Sequence, residues 1–161
     1  MVDSPATPDP GGKILVSACL LGREVRYDGR AKTCLHPRLL AWLEAGRVVP
    51  FCPEVEGGFG VPRPRAEIDA GDGADVWGGE ANVRDENGLD VTAGYRRGAL
   101  AALAVCRREG IRLAVLKEGS PSCASHRIAD GSFSGTIRPG LGVTAALLQE
   151  HGILVISEDE L

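Results

Sequence analysis

The sequence predicts an α/β fold, a single-domain three-layer sandwich around a mostly parallel, Rossmann-like sheet. Short apolar runs alternate with helical patterns along the chain, as they do when strands are buried on both faces between helices. Three of those runs, far apart in sequence, are each followed by a cysteine past the end of the run. Hydrophobic residues make up 43% of 161 residues, which supports one real core and is too short for two comfortable domains. Residues 1–12 are expected to form a flexible tail, and residues 13–161 the single domain.

Each element has its own local signal. After a Pro- and Gly-rich start, Lys13–Ala18 reads as the first strand and runs into Cys19. Tyr27-Asp28-Gly29 marks a tight turn. Pro37 suits the first position of a short helix, with Leu39, Leu40 and Leu43 as its apolar face and Gly46 as its stop. Arg47–Phe51 is a second strand, leading into Cys52-Pro53-Glu54. From Pro53 to Asp90 little periodicity is visible, and a long irregular segment in a compact domain is usually functional or mobile. Within it, the acidic stretch Asp69–Glu80 reads as a loop tip. It lacks the ordered ligand spacing and final bidentate Glu of a calcium loop.

The strongest helix pattern spans Thr92–Glu109, with Thr92 as its cap and Gly110 as its stop. Tyr95, Ala99, Leu100, Leu103 and Cys106 fall on its apolar face. Ile111–Leu116 is a third strand, followed by Ser120-Pro121-Ser122-Cys123. Asp130-Gly131 predicts a turn between the extended pieces Ser125–Ala129 and Ser132–Ile137. A helix over Gly142–Glu150 and a last strand, Ile153–Ile156, complete the chain.

Composition excludes several functions. A net charge of −4 and 4% aromatic residues argue against a nucleic-acid polymer as partner, which would call for a basic excess or stacking platforms. No apolar stretch reaches the length of a membrane span. The first twelve residues carry Pro5, Pro8 and Pro10 and no apolar run, unlike a secretory signal. A cytoplasmic location is therefore expected, where the five cysteines stay reduced and metal binding or catalysis outranks disulfides.

Cys106 continues the apolar face of its helix and is expected to be plain core. Cys34 stands two residues before His36, but no second pair of that kind completes a zinc site. Cys19, Cys52 and Cys123 differ because each lies beyond a strand. Their separations match no compact zinc or iron–sulfur spacing. In a parallel sheet, however, the loops after the strands converge on one crevice. Three thiolates on one rim hold a soft metal or an iron–sulfur cluster and leave one coordination position open, as catalytic centres do. Glu54 and Ser120 flank them as an acid/base and a hydroxyl. A zinc-binding structural or regulatory domain, with Cys34, His36 or His126 as fourth ligand, and an electron-transfer iron–sulfur protein are the competing readings.

The elements Ser17-Ala18-Cys19-Leu20-Leu21-Gly22, Val25-Arg26-Tyr27-Asp28-Gly29, Cys52-Pro53-Glu54, Gly57-Gly58, Pro62-Arg63 and Ser120-Pro121-Ser122-Cys123 occur in one order. With Asp130-Gly131-Ser132-Phe133 and Pro139-Gly140-Leu141-Gly142-Val143 they cover nearly the whole chain. In these the chain resembles the thiouracil desulfidase-like family of small three-cysteine [4Fe-4S] proteins. Ala124 departs from the pattern, which has glycine after the last cysteine. The resemblance implies a [4Fe-4S] cluster held by Cys19, Cys52 and Cys123 with one iron open. It also implies Glu54 as acid/base, Ser120 as its assistant, and a thiolated base or nucleoside such as 2-thiouracil as substrate. The implied reaction is non-redox replacement of thiocarbonyl sulfur by oxygen. Arg26, Tyr27, Asp28 and Arg63, with Arg65, are candidate walls of the substrate pocket.

Overall fold

A computed structural model describes residues 11–161, so residues 1–10 of the expected tail lie outside the described residues. In chain order the elements are β1 (Ile14–Ser17), α1 (Pro37–Glu44), β2 (Val48–Phe51), α2 (Pro53–Glu56), β3 (Ala66–Ile68), α3 (Gly73–Trp77), β4 (Val83–Asp85), α4 (Thr92–Glu109), β5 (Leu113–Leu116), β6 (Arg127–Ala129), β7 (Ile137–Pro139), α5 (Val143–Glu150) and β8 (Leu154–Ser157).

Four of the strands form a parallel sheet in the order β2-β1-β5-β8. Val16 lies opposite Pro50 on one side and Val115 on the other. Pro50 is tolerated because β2 is an edge strand and needs no outward N–H. Alternate residues of each central strand face opposite layers. Ile14, Val16, Leu113 and Val115 pack with Leu39 and Trp42 of α1. Leu15, Ala114, Leu116 and Val155 pack with Ala99 and Leu103 of α4 and Leu148 of α5. The three-layer sandwich expected from the sequence is the observed fold.

The chain runs outward from β1 to β2, then crosses to β5 on the other side of β1. The carboxyl ends of β1 and β5 therefore stand side by side at the switch point, where an α/β sheet opens its crevice. Two antiparallel pairs, β3–β4 and β6–β7, lie outside this sheet and contribute walls to the crevice.

Several expectations need correction. In α1 the buried residues are Leu39 and Trp42, while Leu40 and Leu43 are 42% and 40% exposed. A two-turn helix touches the sheet along one narrow stripe, and the indole takes the place the leucines were given. In α4 the limits agree, but Thr92 does not cap the helix. Its Oγ1 accepts from Val83 N at 2.9 Å, joining α4 to β4. Leu100 faces solvent, because α4 turns its glycine side inward. A Cβ on Gly98 would run into the Pro53 carbonyl, and one on Gly94 into the Phe59 ring. That close approach is how α2 docks on α4.

The segment from Pro53 to Asp90 is structured rather than irregular. Its elements are three to five residues long, too short for periodicity to register. The acidic stretch is not a loop tip but contains α3. Asp72 accepts from Ala74 N and Leu141 N at 3.0 Å each, and Asp75 accepts from Asp72 N at 2.9 Å. Asp69 takes Asn82 N at 2.8 Å. These carboxylates satisfy backbone donors, which is why they cluster there. Trp77 then fastens α3 to α5 by donating from Nε1 to Val143 O at 2.8 Å. Among the described residues no helix is long and apolar enough to cross a membrane.

Candidate active site

The three cysteines beyond strands arrive by three routes. Cys19 sits in a single 3-10 turn after β1. Cys52 directly follows β2 and precedes Pro53, the first residue of α2. Cys123 lies in the turn after β5, and that turn is gripped by the start of α5. Val143 N donates to Pro121 O (2.8 Å), Thr144 N to Ser122 O (2.9 Å) and Gly142 N to Ala124 O (2.8 Å). A side chain on Gly142 would collide with the Ser122 backbone, so glycine is what allows the helix to hold the loop so closely.

All three thiols line one cavity of about 290 Å³ at the switch point, together with Glu54 and Ser120. Cys34 and Cys106 do not line it. Cys34 packs beside the α1-side core and Cys106 is buried in the α4-side core, as expected for Cys106. All five cysteines are free.

Burial pushes the Cys19 thiol up to about 11, with further upward pressure from Cys52 and opposition from Arg26 and Lys117. Cys123 is pushed up further still, by burial and then by Cys52, Glu54 and Cys19. Cys52 is raised by burial first, against backbone hydrogen bonds from Val55 and Glu54. Three thiols, two buried and one half-buried, within electrostatic reach of one another resist ionisation unless a cationic centre sits among them. A four-iron cluster takes cysteines at separate corners and needs them around a void. The donor set and the cavity fit that group. Among the described residues, no three His, Cys, Asp or Glu side chains are grouped to hold a single metal ion. Nor do the expected zinc partners reach the cavity. His36 caps α1, accepting from Arg38 N at 3.1 Å, and His126 Nδ1 lies 3.1 Å from Glu118 Oε2.

Glu54 is held asymmetrically. Its Oε1 accepts from Arg63 Nε at 2.9 Å and from Tyr95 Oη at 2.9 Å. Among the described residues its Oε2 accepts only from Ser120 Oγ, at 3.4 Å. Ser120 Oγ in turn accepts from the backbone N–H of Ser122 and Cys123, at 3.0 and 3.2 Å, shaping the turn that carries Cys123. Burial, then the Glu54 charge, raises the Tyr95 phenol well above its ordinary value, so it remains a donor.

The other expected wall residues divide. Arg26, Tyr27 and Arg63 line the cavity, as does Arg65, whereas Asp28 does not. Asp28 accepts from Arg30 N at 3.0 Å and shapes its turn. Arg63 is already committed to Glu54, to Val25 O at 2.8 Å and to Gly60 O at 3.1 Å. It supports the carboxylate and has little left for a ligand. Sequence reasoning missed Tyr95, Glu67 and Lys117 on the cavity wall. Tyr95 looked like one more apolar position of α4, and only the glycines at 94 and 98 hinted at a close neighbour. Lys117 Nζ pairs with Glu158 Oε2 at 2.9 Å, a contact across residues that no local pattern connects.

Fold and site together define a Rossmann-like protein with a thiol-rimmed cavity at its sheet switch point and a braced carboxylate beside it. More particularly, the chain belongs to the 2-thiouracil desulfurase family, whose model matches residues 14–160. The protein YbbK of Bacillus subtilis (strain 168) is 46% identical over 148 residues, covering 92% of this chain and 97% of that one. A solved structure described as the [4Fe-4S]-dependent thiouracil desulfidase TudS is 51% identical, with a TM-score of 0.85 and 93% of each chain covered.

Proposed function

We propose that residues 13–161 form a [4Fe-4S]-dependent desulfidase that converts a thiocarbonyl base, 2-thiouracil or a close relative, to the oxo compound. Cys19, Cys52 and Cys123 hold the cluster. The observation that carries this reading is their convergence on one cavity that also holds Glu54 and Ser120. Family membership and the likeness to a named desulfidase support the same substrate class.

When bound, the cluster supplies a soft iron position suited to thiocarbonyl sulfur and able to polarise the adjoining carbon. The protein's own groups handle the proton traffic. Arg63 and Tyr95 occupy Glu54 Oε1, and Oε2 is left with the Ser120 hydroxyl. Glu54 Oε2 takes a proton from the water that adds to the carbon. Ser120 relays a proton between Glu54 and the ring nitrogen beside the departing sulfur. One water is consumed and one hydrogen sulfide released, C=S becomes C=O, and no electron donor is required. A thiol set that must stay reduced fits the cytoplasm. The net charge of −4 and a cavity of this size favour a free base or nucleoside over a polymer.

The test is anaerobic reconstitution with iron and sulfide, followed by addition of 2-thiouracil. Broad visible absorbance, bound iron and production of uracil with sulfide are expected. Colourless protein containing zinc would favour the structural domain. A coloured protein that leaves 2-thiouracil untouched would favour electron transfer. The Glu54→Gln variant is expected to keep its colour and lose turnover. Full activity in that variant would remove Glu54 from the mechanism.

A further inference from the structure

One cavity residue plays no part in the chemistry above. Arg65 stands immediately before β3, in the part of the chain that closes the crevice from outside the parallel sheet. Its backbone is pinned on both sides, with its N–H donating to Glu86 Oε2 (3.0 Å) and its carbonyl accepting from Glu86 N (2.8 Å). The guanidinium carbon lies 5.6 Å from the centre of the Phe133 ring, and one terminal nitrogen 4.0 Å from Glu67 Oε2. Glu67 is itself buried, and its Oε1 accepts from Gly131 N and Phe133 N at 3.0 Å each. That carboxylate is fixed by the backbone and steadies the arginine in turn.

Despite this support, Arg65 Nε is buried and has no hydrogen-bond partner among the described residues. Buried donors are rarely left unmet. Arg65 lines the ligand cavity and its side chain is 43% exposed, so the guanidinium can turn its fork, Nε included, to meet an acceptor that arrives with the ligand. A pyrimidine-2-thione whose sulfur faces the thiol rim presents one: the ring carbonyl on the edge away from the sulfur. A guanidinium offers parallel N–H donors along one edge, a geometry suited to oxygen acceptors.

We propose that Arg65 is a specificity-determining residue, whose guanidinium donates to the ring carbonyl remote from the thiocarbonyl. The site thereby selects oxo-pyrimidine thiones over cyclic thioureas that lack that oxygen. The inference rests on the desulfidase reading. A site built to bond a polar group discriminates against ligands without it, because its own donor is then stranded.

The test uses the reconstituted holoenzyme and two rings, 2-thiouracil and tetrahydropyrimidine-2-thione. The second ring keeps the N–H–C(=S)–N–H edge and lacks the carbonyl. In Arg65→Met, kcat/KM on 2-thiouracil is expected to fall about tenfold to hundredfold, with the change on the carbonyl-free ring within about threefold. Binding of the product provides a readout without turnover. The Kd for uracil, measured by calorimetry, should weaken by a similar factor, and that for tetrahydropyrimidin-2-one should hold. Arg65→Lys, which keeps the stem and charge but not the fork, should lie between Met and the parent. Equal losses on both rings, or no loss on either, would overturn the role of Arg65 while leaving the desulfidase standing. A parent holoenzyme that releases no sulfide from 2-thiouracil would instead overturn the desulfidase reading itself.

Discussion

The phenol of Tyr95, on the long helix α4, donates to Oε1 of Glu54, on the four-residue helix α2, across 2.9 Å. The two residues are joined because α4 presents Gly98 to Pro53 of α2 and Gly94 to the Phe59 ring just beyond it. The tyrosine is buried, and its proton is held in place by burial and by the neighbouring carboxylate. In the proposed reaction it acts through Glu54, as a positioning residue. In Tyr95→Phe one donor to a charged acceptor is lost, worth about 1.5–3 kcal/mol. We expect kcat to fall at least about tenfold with KM and iron content little changed. Kinetics measured beside cluster absorbance checks this, and a rise in KM alone would assign Tyr95 to binding.

The thiols give a contrast internal to the protein. Changing Cys19, Cys52 or Cys123 singly to Ser should abolish iron and acid-labile sulfide retention after reconstitution. Cys106→Ser should retain the cluster, because Cys106 is 1% exposed in the α4-side core and outside the cavity. It should instead cost about 1–3 kcal/mol from burying a hydroxyl. Metal analysis and thermal unfolding of the four variants separate the two behaviours.

Gly98 carries the docking of α2 on α4. Alanine is the better helix former by about 1 kcal/mol, so propensity alone predicts a more stable protein. The Pro53 carbonyl stands where the new methyl would go, and overpacking costs about 1–3 kcal/mol. We expect Gly98→Ala to lower the urea midpoint and to reduce turnover, since the shifted helix bears Glu54. A raised midpoint would show that α2 moves aside freely.

Acid stability depends on Glu118. Burial works against its charge, but backbone hydrogen bonds from Arg127 and His126, the His126 side chain and the Gly119 backbone outweigh it, lowering its pKa below the ordinary 4.5. A carboxylate with a depressed folded-state pKa contributes stability that is fully present above its unfolded value. That contribution is lost as pH falls through the folded value. Glu118→Gln should therefore be less stable at pH 7, and its stability should fall less steeply below about pH 4.5. Chemical denaturation across pH 3–7 tests both the sign and the window.

Much of this was legible along the chain. The apolar runs at 14–17, 48–51 and 113–116 are nearly continuous because both faces of the sheet are covered, and that continuity marks buried parallel strands. A cysteine or a Ser-Pro-Ser-Cys turn beyond each run marks three thiols for one rim of such a sheet. Glu54 was visible because it follows Cys52 directly. By contrast α2, α3, β3 and β4 are shorter than the period that would reveal them. Asp69, Asp72 and Asp75 looked like a solvated acidic loop because two of the four backbone N–H groups they serve, at 82 and 141, lie outside that stretch.

From the residue pattern alone came the α/β class, the order along the chain of the four strands of the parallel sheet, the thiol set and its neighbouring carboxylate and hydroxyl. Three-dimensional packing decided which side chains brace Glu54, why Arg63 serves that carboxylate, and that Arg65 keeps an unmet donor on the cavity wall. The reason is physical. Periodicity and turn chemistry are local and repeat within a few residues. A hydrogen bond between Tyr95 and Glu54, or a helix admitted by Gly98, exists only after distant segments have been brought into contact.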